Sequence, residues 1–242
     1  MAASFAELLE RFEPIGLEAL DAQAALQQRV DEKYLVAPGE LEPLLERMLP
    51  SFVALEIDGR RQSLYESIYF DTPGLRCYRD HIEGHRPRLK VRTRLYVETR
   101  VCALEAKLKR ADDEMDKASC ALDPADHGRI TAAGLRFLED AVGGDAPHVS
   151  LVELGPALTT RYRRATLAAR EGGVRVTFDD DVRASLPGGA RAELTPGQVI
   201  VETKSADGES EADALLREAG HEPASLSKYR AGIERLVPAG ER

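Results

Sequence analysis

The chain has 242 residues, 43% of them hydrophobic, with a net charge of −9 and an isoelectric point of about 5.2. That is enough apolar material for a sizeable core, as one domain or as one domain with appendages. The negative balance argues against general adhesion to nucleic acid or to an anionic membrane surface, so positive charge that matters must be local.

The start of the chain, Met1 to Glu7, lacks the basic opening and apolar run of a signal peptide. No stretch approaches the roughly 18 apolar residues of a membrane span, so a soluble cytoplasmic protein without direct membrane insertion is expected. Cys77, Cys102 and Cys120 are odd in number and lack CxxC spacing, which predicts reduced, buried thiols rather than disulfides or zinc.

In chain order, Phe5, Leu8, Leu9, Phe12, Ile15, Leu17, Leu20, Ala24 and Leu26 fall at mostly helical spacing. Pro14-Ile15-Gly16 interrupts them, which predicts two short amphipathic pieces on the outside of a core. Residues 29–36 read as a strand with Arg29, Asp31 and Lys33 on one face. Leu41, Leu44 and Leu45 mark a short helix over 40–48 that ends before Pro50, and 63–71 is a strand stopped by Thr72-Pro73-Gly74. Residues 75–87 read as a loop or short helix. His81 and His85 have the spacing of a metal pair there, but Gly84 and Pro87 oppose a regular helix, and zinc is not expected.

From about residue 87 to 98 the chain alternates at period two. Leu89, Val91, Leu95 and Val97 share one face of a strand; Arg88, Lys90, Arg92 and Arg94 share the other. Residues 101–109 repeat the design, with Glu105, Lys107 and Lys109 opposite Cys102, Leu104, Ala106 and Leu108. A short strand over 117–122 follows. Asp123-Pro124 then opens a predicted helix to about Val142, with Ile130, Leu135, Phe137 and Leu138 as its buried stripe and Gly143-Gly144 as its end. An arginine-dense strand over 159–167 turns at Glu171-Gly172-Gly173 into a strand over 174–179 bearing Arg175, Thr177 and Asp179 on one face. Residues 199–204 form a strand with Glu202 and Lys204 together. A helix over 209–220 ends at Gly220, and the basic segment 225–230 precedes a last amphipathic turn.

About eight strands joined mostly by short turns predict an antiparallel sheet in an α+β fold. Five of them carry ionised residues at every second position, which allows two arrangements. Either the ionic side faces water, or the sheet curls into a barrel with that side inward. An inward lining rich in lysine and arginine repels itself when empty and implies a polyanionic guest with balancing carboxylates. Guanidinium and ammonium groups suit phosphate oxygens, and Glu105, Glu202 and Asp31 are hard oxygen donors suited to Mg²⁺ or Mn²⁺ on the same phosphates. No GxxxxGK[ST] or GxGxxG loop is present, and no Ser-His-Asp or Cys-His arrangement can be picked out. Arg88 and Lys109 read as solvated strand ends, Asp179 to Asp181 as the close of a strand, and Tyr34, Tyr69 and Tyr162 as packing residues. Glu105 also reads as a group that orients Lys107.

Eight short motifs follow one another: Arg29-x-Asp-x-Lys-Tyr34, Ser67-Ile-Tyr-Phe-Asp-Thr-Pro73, Lys90-x-Arg-x-Arg-x-Tyr96, Leu104-Glu-x-Lys107, Tyr162-x-Arg164, Arg175-Val-Thr-Phe-Asp179, Val201-Glu-x-Lys204 and Ser227-Lys-Tyr229. In this order they resemble the VTC (vacuolar transporter chaperone) polyphosphate polymerase domain of the triphosphate tunnel metalloenzymes. The resemblance implies an eight-stranded antiparallel β-barrel, the triphosphate tunnel, with helices packed outside and at the ends. It places this domain over 28–236, behind an N-terminal helical segment over 1–27. It implies catalytic phosphate ligands at Lys33, Arg92, Arg94, Lys107, Arg164, Arg175, Lys204 and Lys228. Lys90, Lys117 and Ser227 are implied substrate contacts, and Mn²⁺ or Mg²⁺ would be held chiefly by Glu202, with Glu105 and Asp31. The activity implied is synthesis of inorganic polyphosphate from ATP, with export left to a membrane-protein partner. Other branches hydrolyse triphosphate or thiamine triphosphate or cyclise ATP, so an inorganic triphosphatase and a non-catalytic polyphosphate-binding module stand as alternatives.

Overall fold

The computed structural model describes residues 3–23, 30–112, 114–142 and 144–242. In chain order its elements are α1 (Phe5–Leu9), β1 (Pro14–Ile15), α2 (Leu17–Gln23), β2 (Val30–Val36), α3 (Pro38–Met48), β3 (Phe52–Leu55), β4 (Gln62–Asp71), α4 (Arg76–Ile82), β5 (Arg88–Tyr96), β6 (Val101–Lys109) and β7 (Met115–Leu122). There follow α5 (Ala132–Val142), β8 (Gly155–Ala169), β9 (Arg175–Ser185), β10 (Arg191–Glu193), β11 (Val199–Ser205), α6 (Glu211–Glu218) and α7 (Lys228–Leu236). The chain divides into two units. The first comprises 1–63, 162–182 and 195–226, and the second 64–161, 183–194 and 227–242. The readings placed on Ala24, Leu26, Arg29 and Gly143 lie outside the described residues.

In the first unit β11 is the central strand, antiparallel to β2 on one side and to β9 on the other. Alternation sorts its faces. Tyr34 and Val36 of β2, Val176 and Phe178 of β9 and Val201 of β11 are buried in one core with Leu41 and Leu45 of α3, Leu216 of α6 and Leu8 and Leu9 of α1. Asp31, Lys33, Arg175, Glu202 and Lys204 therefore occupy the other face. The core side is closed by one buried carboxylate. Asp213 accepts hydrogen bonds from the Tyr34 hydroxyl (2.9 Å), the Thr203 and Ser210 hydroxyls and the Ser210 N–H (3.0 Å). Strand β2, strand β11 and the N-terminus of α6 are thereby tied at one point. Pro14–Ile15, read as a break between two helical pieces, adds a parallel strand to Ala54–Leu55 of β3.

The second unit is built on the antiparallel order β4-β5-β6-β7. Phe70, Leu89, Val91, Leu104, Ala106 and Leu108 pack on Leu138 and Val142 of α5. The helix expected from Asp123 begins only at Ala132. Gly128 takes φ +85°, its N–H donates to Thr93 Oγ1 (3.1 Å), and a Cβ there would stand 2.9 Å from Ile68 Cδ1. Residues 124–126 form a separate 3-10 turn capped by the Asp123 side chain. Residues 76–82 are a regular helix, because Asp71 at the end of β4 accepts from the N–H groups of Cys77 (2.8 Å) and Tyr78 (2.9 Å) and from the Tyr229 hydroxyl of α7.

Eleven strands are present among the described residues, against about eight expected; β1, β3 and β10 are too short to show a period in sequence. Each unit's sheet, taken by itself, is open, with β2 and β7 as respective edges, and neither closes into a barrel alone.

Removing the acceptor that collects four donors should be costly. Asp213→Ala is expected to lower the unfolding free energy by about 2–4 kcal/mol, read as a lower urea midpoint.

Candidate functional site

The polar face of the second unit is set by register. Lys90 of β5 lies directly opposite Lys107 of β6, which lies directly opposite Lys117 of β7. The neighbouring rungs are Arg92 against Glu105 against Ser119, and Arg88 against Lys109. On these three strands the face therefore carries Arg88, Lys90, Arg92, Arg94, Lys107, Lys109 and Lys117, with Glu105 as its carboxylate. Cross-strand like charges are destabilising unless a counter-charge is shared among them.

Glu105 shares itself between two arginines. Its Oε2 accepts from Arg92 Nε (2.7 Å) and Nη2 (2.6 Å), and Arg94 Nη1 lies 3.5 Å from Oε1. Burial pushes the Glu105 carboxyl up, but Arg92, Arg94 and Lys107 outweigh it and hold the carboxyl below the usual range. Arg92 is further fixed by the Tyr69 hydroxyl, to which Nη1 donates (3.2 Å). Arg94 keeps a shielded Nε with no acceptor among the described residues, a donor ready for a ligand. At one end, Lys90 Nζ donates to Ser227 Oγ (3.3 Å), and that same oxygen caps α7, whose first residue is Lys228. Tyr229 stacks on Tyr69 with ring centroids 5.1 Å apart.

The polar face of the first unit has a different balance. Glu202 on the central strand is flanked by Lys33, with Nζ 3.2 Å from Oε1, and by Lys204, which bonds Oε2. Asp31 stands opposite Lys204 in register. Burial opposes the charge on Glu202, yet Lys204, Lys33 and Arg164 hold it well below the ordinary carboxylate range. Lys204 is pushed down to about 8, first by burial and also by Arg164, against the pull of Glu202. Arg164 grips Asp179 in a two-pronged bond (2.5 and 2.7 Å) and its charge is thereby reinforced against burial. Arg175 stands opposite Lys204 in register, but its guanidinium reaches Asp21 Oδ1 (3.2 Å) and the Leu20 carbonyl (3.4 Å) of α2, leaving Nε shielded and with no acceptor among the described residues.

The fourteen residues singled out in sequence thus fall into two groups. Lys33, Asp31, Arg164, Arg175, Glu202 and Lys204 lie in the first unit. Lys90, Arg92, Arg94, Glu105, Lys107, Lys117, Ser227 and Lys228 lie in the second. Two groups were undervalued. Asp179, read as closing a strand, is the buried counter-charge of Arg164, and Tyr69, read as packing, also orients Arg92. Arg164 and Asp179 lie almost equidistant from the Glu171-Gly172-Gly173 turn, a symmetry of hairpins that points to their pairing.

The carboxylates fit a divalent ion of the Mg²⁺ or Mn²⁺ type that draws its remaining ligands from water and phosphate oxygens. Glu202 is held ionised and Asp31 stands on the adjacent strand of the same face; both are hard oxygen donors. Glu105 is already committed to two guanidiniums. Among the described residues no cluster of three or more His, Cys, Asp or Glu is gathered as an all-protein cage would require.

A family model described as the VTC domain matches residues 28–237. Two solved structures align over most of the chain. The candidate adenylyl cyclase HpAC1 from Hippeastrum, reported to reveal a dominant triphosphatase activity, is 17% identical with a TM-score of 0.53, covering 88% of this chain and 98% of that one. A candidate adenylate cyclase from Bacillus halodurans is 13% identical with a TM-score of 0.54, covering 87% and 98%. At these identities the likeness shows the fold alone, an antiparallel sheet with helices. No curated protein matches the chain.

His81 of α4 reports the field of the cationic face. Burial, then Lys90, Arg88, Arg230 and Arg86, push its pKa down to about 3. Below the ordinary histidine range the unfolded chain takes up a proton that the native protein refuses, so stability is lost as pH falls toward that value. His81→Gln is expected to lose less stability than the wild type between about pH 7 and about pH 5 in urea unfolding. Equal losses would show that the native protein does not depress the His81 pKa.

Proposed function

The chain belongs to the VTC domain family, and we propose that it is a divalent-metal-dependent phosphoryl transferase that lengthens inorganic polyphosphate at the expense of ATP. The observation that carries this reading is the Lys90-Lys107-Lys117 rung beside Arg92 and Arg94, a row of cations whose donors match the oxygens of a multiply charged anion. In this reading the tunnel domain spans 28–236 behind the segment over 1–27, and its finer form, an eight-stranded barrel around the phosphate chain, belongs to the same proposal.

In the second unit Arg92, Arg94 and Lys107 are the proposed ligands of the γ-phosphate of ATP; in the first, Arg164, Lys33, Lys204 and Arg175 are proposed as the further phosphate ligands that the family resemblance implies. Lys90, Lys117, Ser227 and Lys228 guide the polyphosphate. Glu202 and Asp31 would hold Mn²⁺ or Mg²⁺, which when bound neutralises phosphate oxygens. Glu105 holds two arginines in place. A terminal oxygen of the polyphosphate forms a bond to the γ-phosphorus while the bond from that phosphorus to the β,γ-bridging oxygen breaks; ADP departs and the chain gains one phosphate. Such transfer proceeds in most analyses through a loose transition state, so in-line placement and charge neutralisation carry the rate.

If water takes the place of the polyphosphate oxygen, the same residues make a triphosphatase, a second reading favoured by the activity reported for the Hippeastrum protein. Among the described residues no helix is long and apolar enough to cross a membrane. The reading places the reaction in the cytoplasm and leaves export to a membrane-protein partner.

Purified protein incubated with ATP and Mn²⁺ should yield a ladder of acid-labile chains on a length-resolving gel, with ADP accumulating. Arg92→Ala and Glu202→Gln should each reduce that yield by at least about 100-fold. Free phosphate without chains would replace the polymerase by the triphosphatase. Chain binding without turnover, unchanged in Glu202→Gln, would leave a binding module.

A further inference from the structure

The second unit carries a recess of about 580 Å³ whose lining comprises Glu66, Thr159, Arg161, Arg183, Ser185, Arg191 and Glu193 with the small apolar Ala184 and Ala192, none of which takes part in the reaction above. It opens on the opposite side of the strands from the cationic face. On β4, Ser67 and Tyr69 stand opposite Arg94 and Arg92, while Glu66 stands opposite Leu95 and shares a face with Ile68 and Phe70, which pack against the α5 core. On β8, Leu158 packs with Tyr69 and Tyr229, so Thr159 and Arg161 project the other way. On β9 and β10, Ala184 belongs to that same cluster, and Arg183, Ser185, Arg191 and Glu193 alternate away from it.

The charges in this recess are unevenly matched. Glu193 lies directly opposite Arg183 in register, and Glu66 is drawn to His127, whose Nε2 is 3.4 Å from Oε1. Arg191 faces only Ser185 in register. Arg161 lies near enough to Glu66 to lower its pKa, though it contributes less than His127 does. Arg161 and Arg191 thus line the recess together with the hydroxyl-bearing Thr159 and Ser185. Such donors match phosphate oxygens, and a chain with net charge −9 has little other use for three arginines in one concavity. The volume is that of a ligand site rather than a single-ion site. No aromatic side chain is among the lining residues to stack on a base.

We propose that this recess binds a short oligophosphate, as the free chain or as the phosphate tail of a nucleotide, at a second site separate from the cationic face. The site does not depend on the polymerase reading, because its residues and its face are different.

The test is calorimetric titration of the full chain with tripolyphosphate and, separately, with ATP at low salt. Arg161→Ala/Arg191→Ala should remove one bound tripolyphosphate per chain and leave ATP turnover unchanged, whereas Arg92→Ala should remove the other. Arg161→Lys/Arg191→Lys, which keeps the charges but loses the forks, should weaken the second site by about tenfold, a check that does not require deleting the side chains. Equal loss for tripolyphosphate and ATP would support the phosphate chain as the recognised group. Unchanged tripolyphosphate stoichiometry and affinity in both double variants would overturn the site, and so would loss of ATP binding alone. A protein that turns over no ATP would refute the polymerase and leave these titrations fully readable.

Discussion

Three ammonium groups facing one another across adjacent strands, Lys90, Lys107 and Lys117, are the constraint around which the second unit is built. Like charges directly opposite one another across strands are destabilising, by an amount that solvent and salt reduce. Such a rung persists because the same strands bury Leu89, Val91, Leu104, Ala106 and Leu108 on their reverse face against α5. Alternation makes the two faces inseparable. The hydrophobic burial that fixes the register also fixes the lysines in opposition.

Carboxylates divide the labour between the two units. In the second, Glu105 is the counter-charge on β5–β7, and it acts on the rung next to the lysines, where it orders Arg92 and Arg94. In the first, Glu202, Asp31 and Asp179 come close to balancing Lys33, Lys204, Arg164 and Arg175. A nearly neutral, internally bonded face is preorganised and can spare a carboxylate for a cation. A strongly cationic face is a receptor for anions. The proposed phosphoryl transfer with a metal would call for both kinds of environment, one for the cation and one for the anion.

Much of this could be read in the sequence because period two is a local signal. The faces of β5 and β6 follow from single stretches, and so do the turns at Thr72-Pro73-Gly74 and Glu171-Gly172-Gly173. What escaped depends on partners distant in sequence or on elements too short to show a period. Asp179 lies in an acidic triplet that reads as a strand end until Arg164 is brought across the hairpin. The helix expected from Asp123 obeyed its start signal only for a 3-10 turn, because Gly128 must approach Thr93 and Ile68, residues far upstream. The division into two units is invisible to any local reading, since each is assembled from three separated segments and both β8 and β9 cross from one to the other.

No catalytic triad or evident general base was found in the sequence, and the electrostatics of the second unit supply a reason in terms of the proposed reaction. Burial first, and then Lys90, Arg88, Arg230 and Arg86, push His81 down to about 3, and the same cations disfavour an added proton beside them. A terminal phosphate has its second pKa near about 6 in water, and cations around it lower that value. A polyphosphate end held by Lys90, Lys107 and Lys117 would therefore arrive fully deprotonated at neutral pH. A nucleophile that carries its charge on entry needs no base to remove a proton, and a side chain placed there to do so could not hold one. In the proposed reaction the cationic face would therefore serve twice, in binding the chain and in keeping the attacking oxygen ionised.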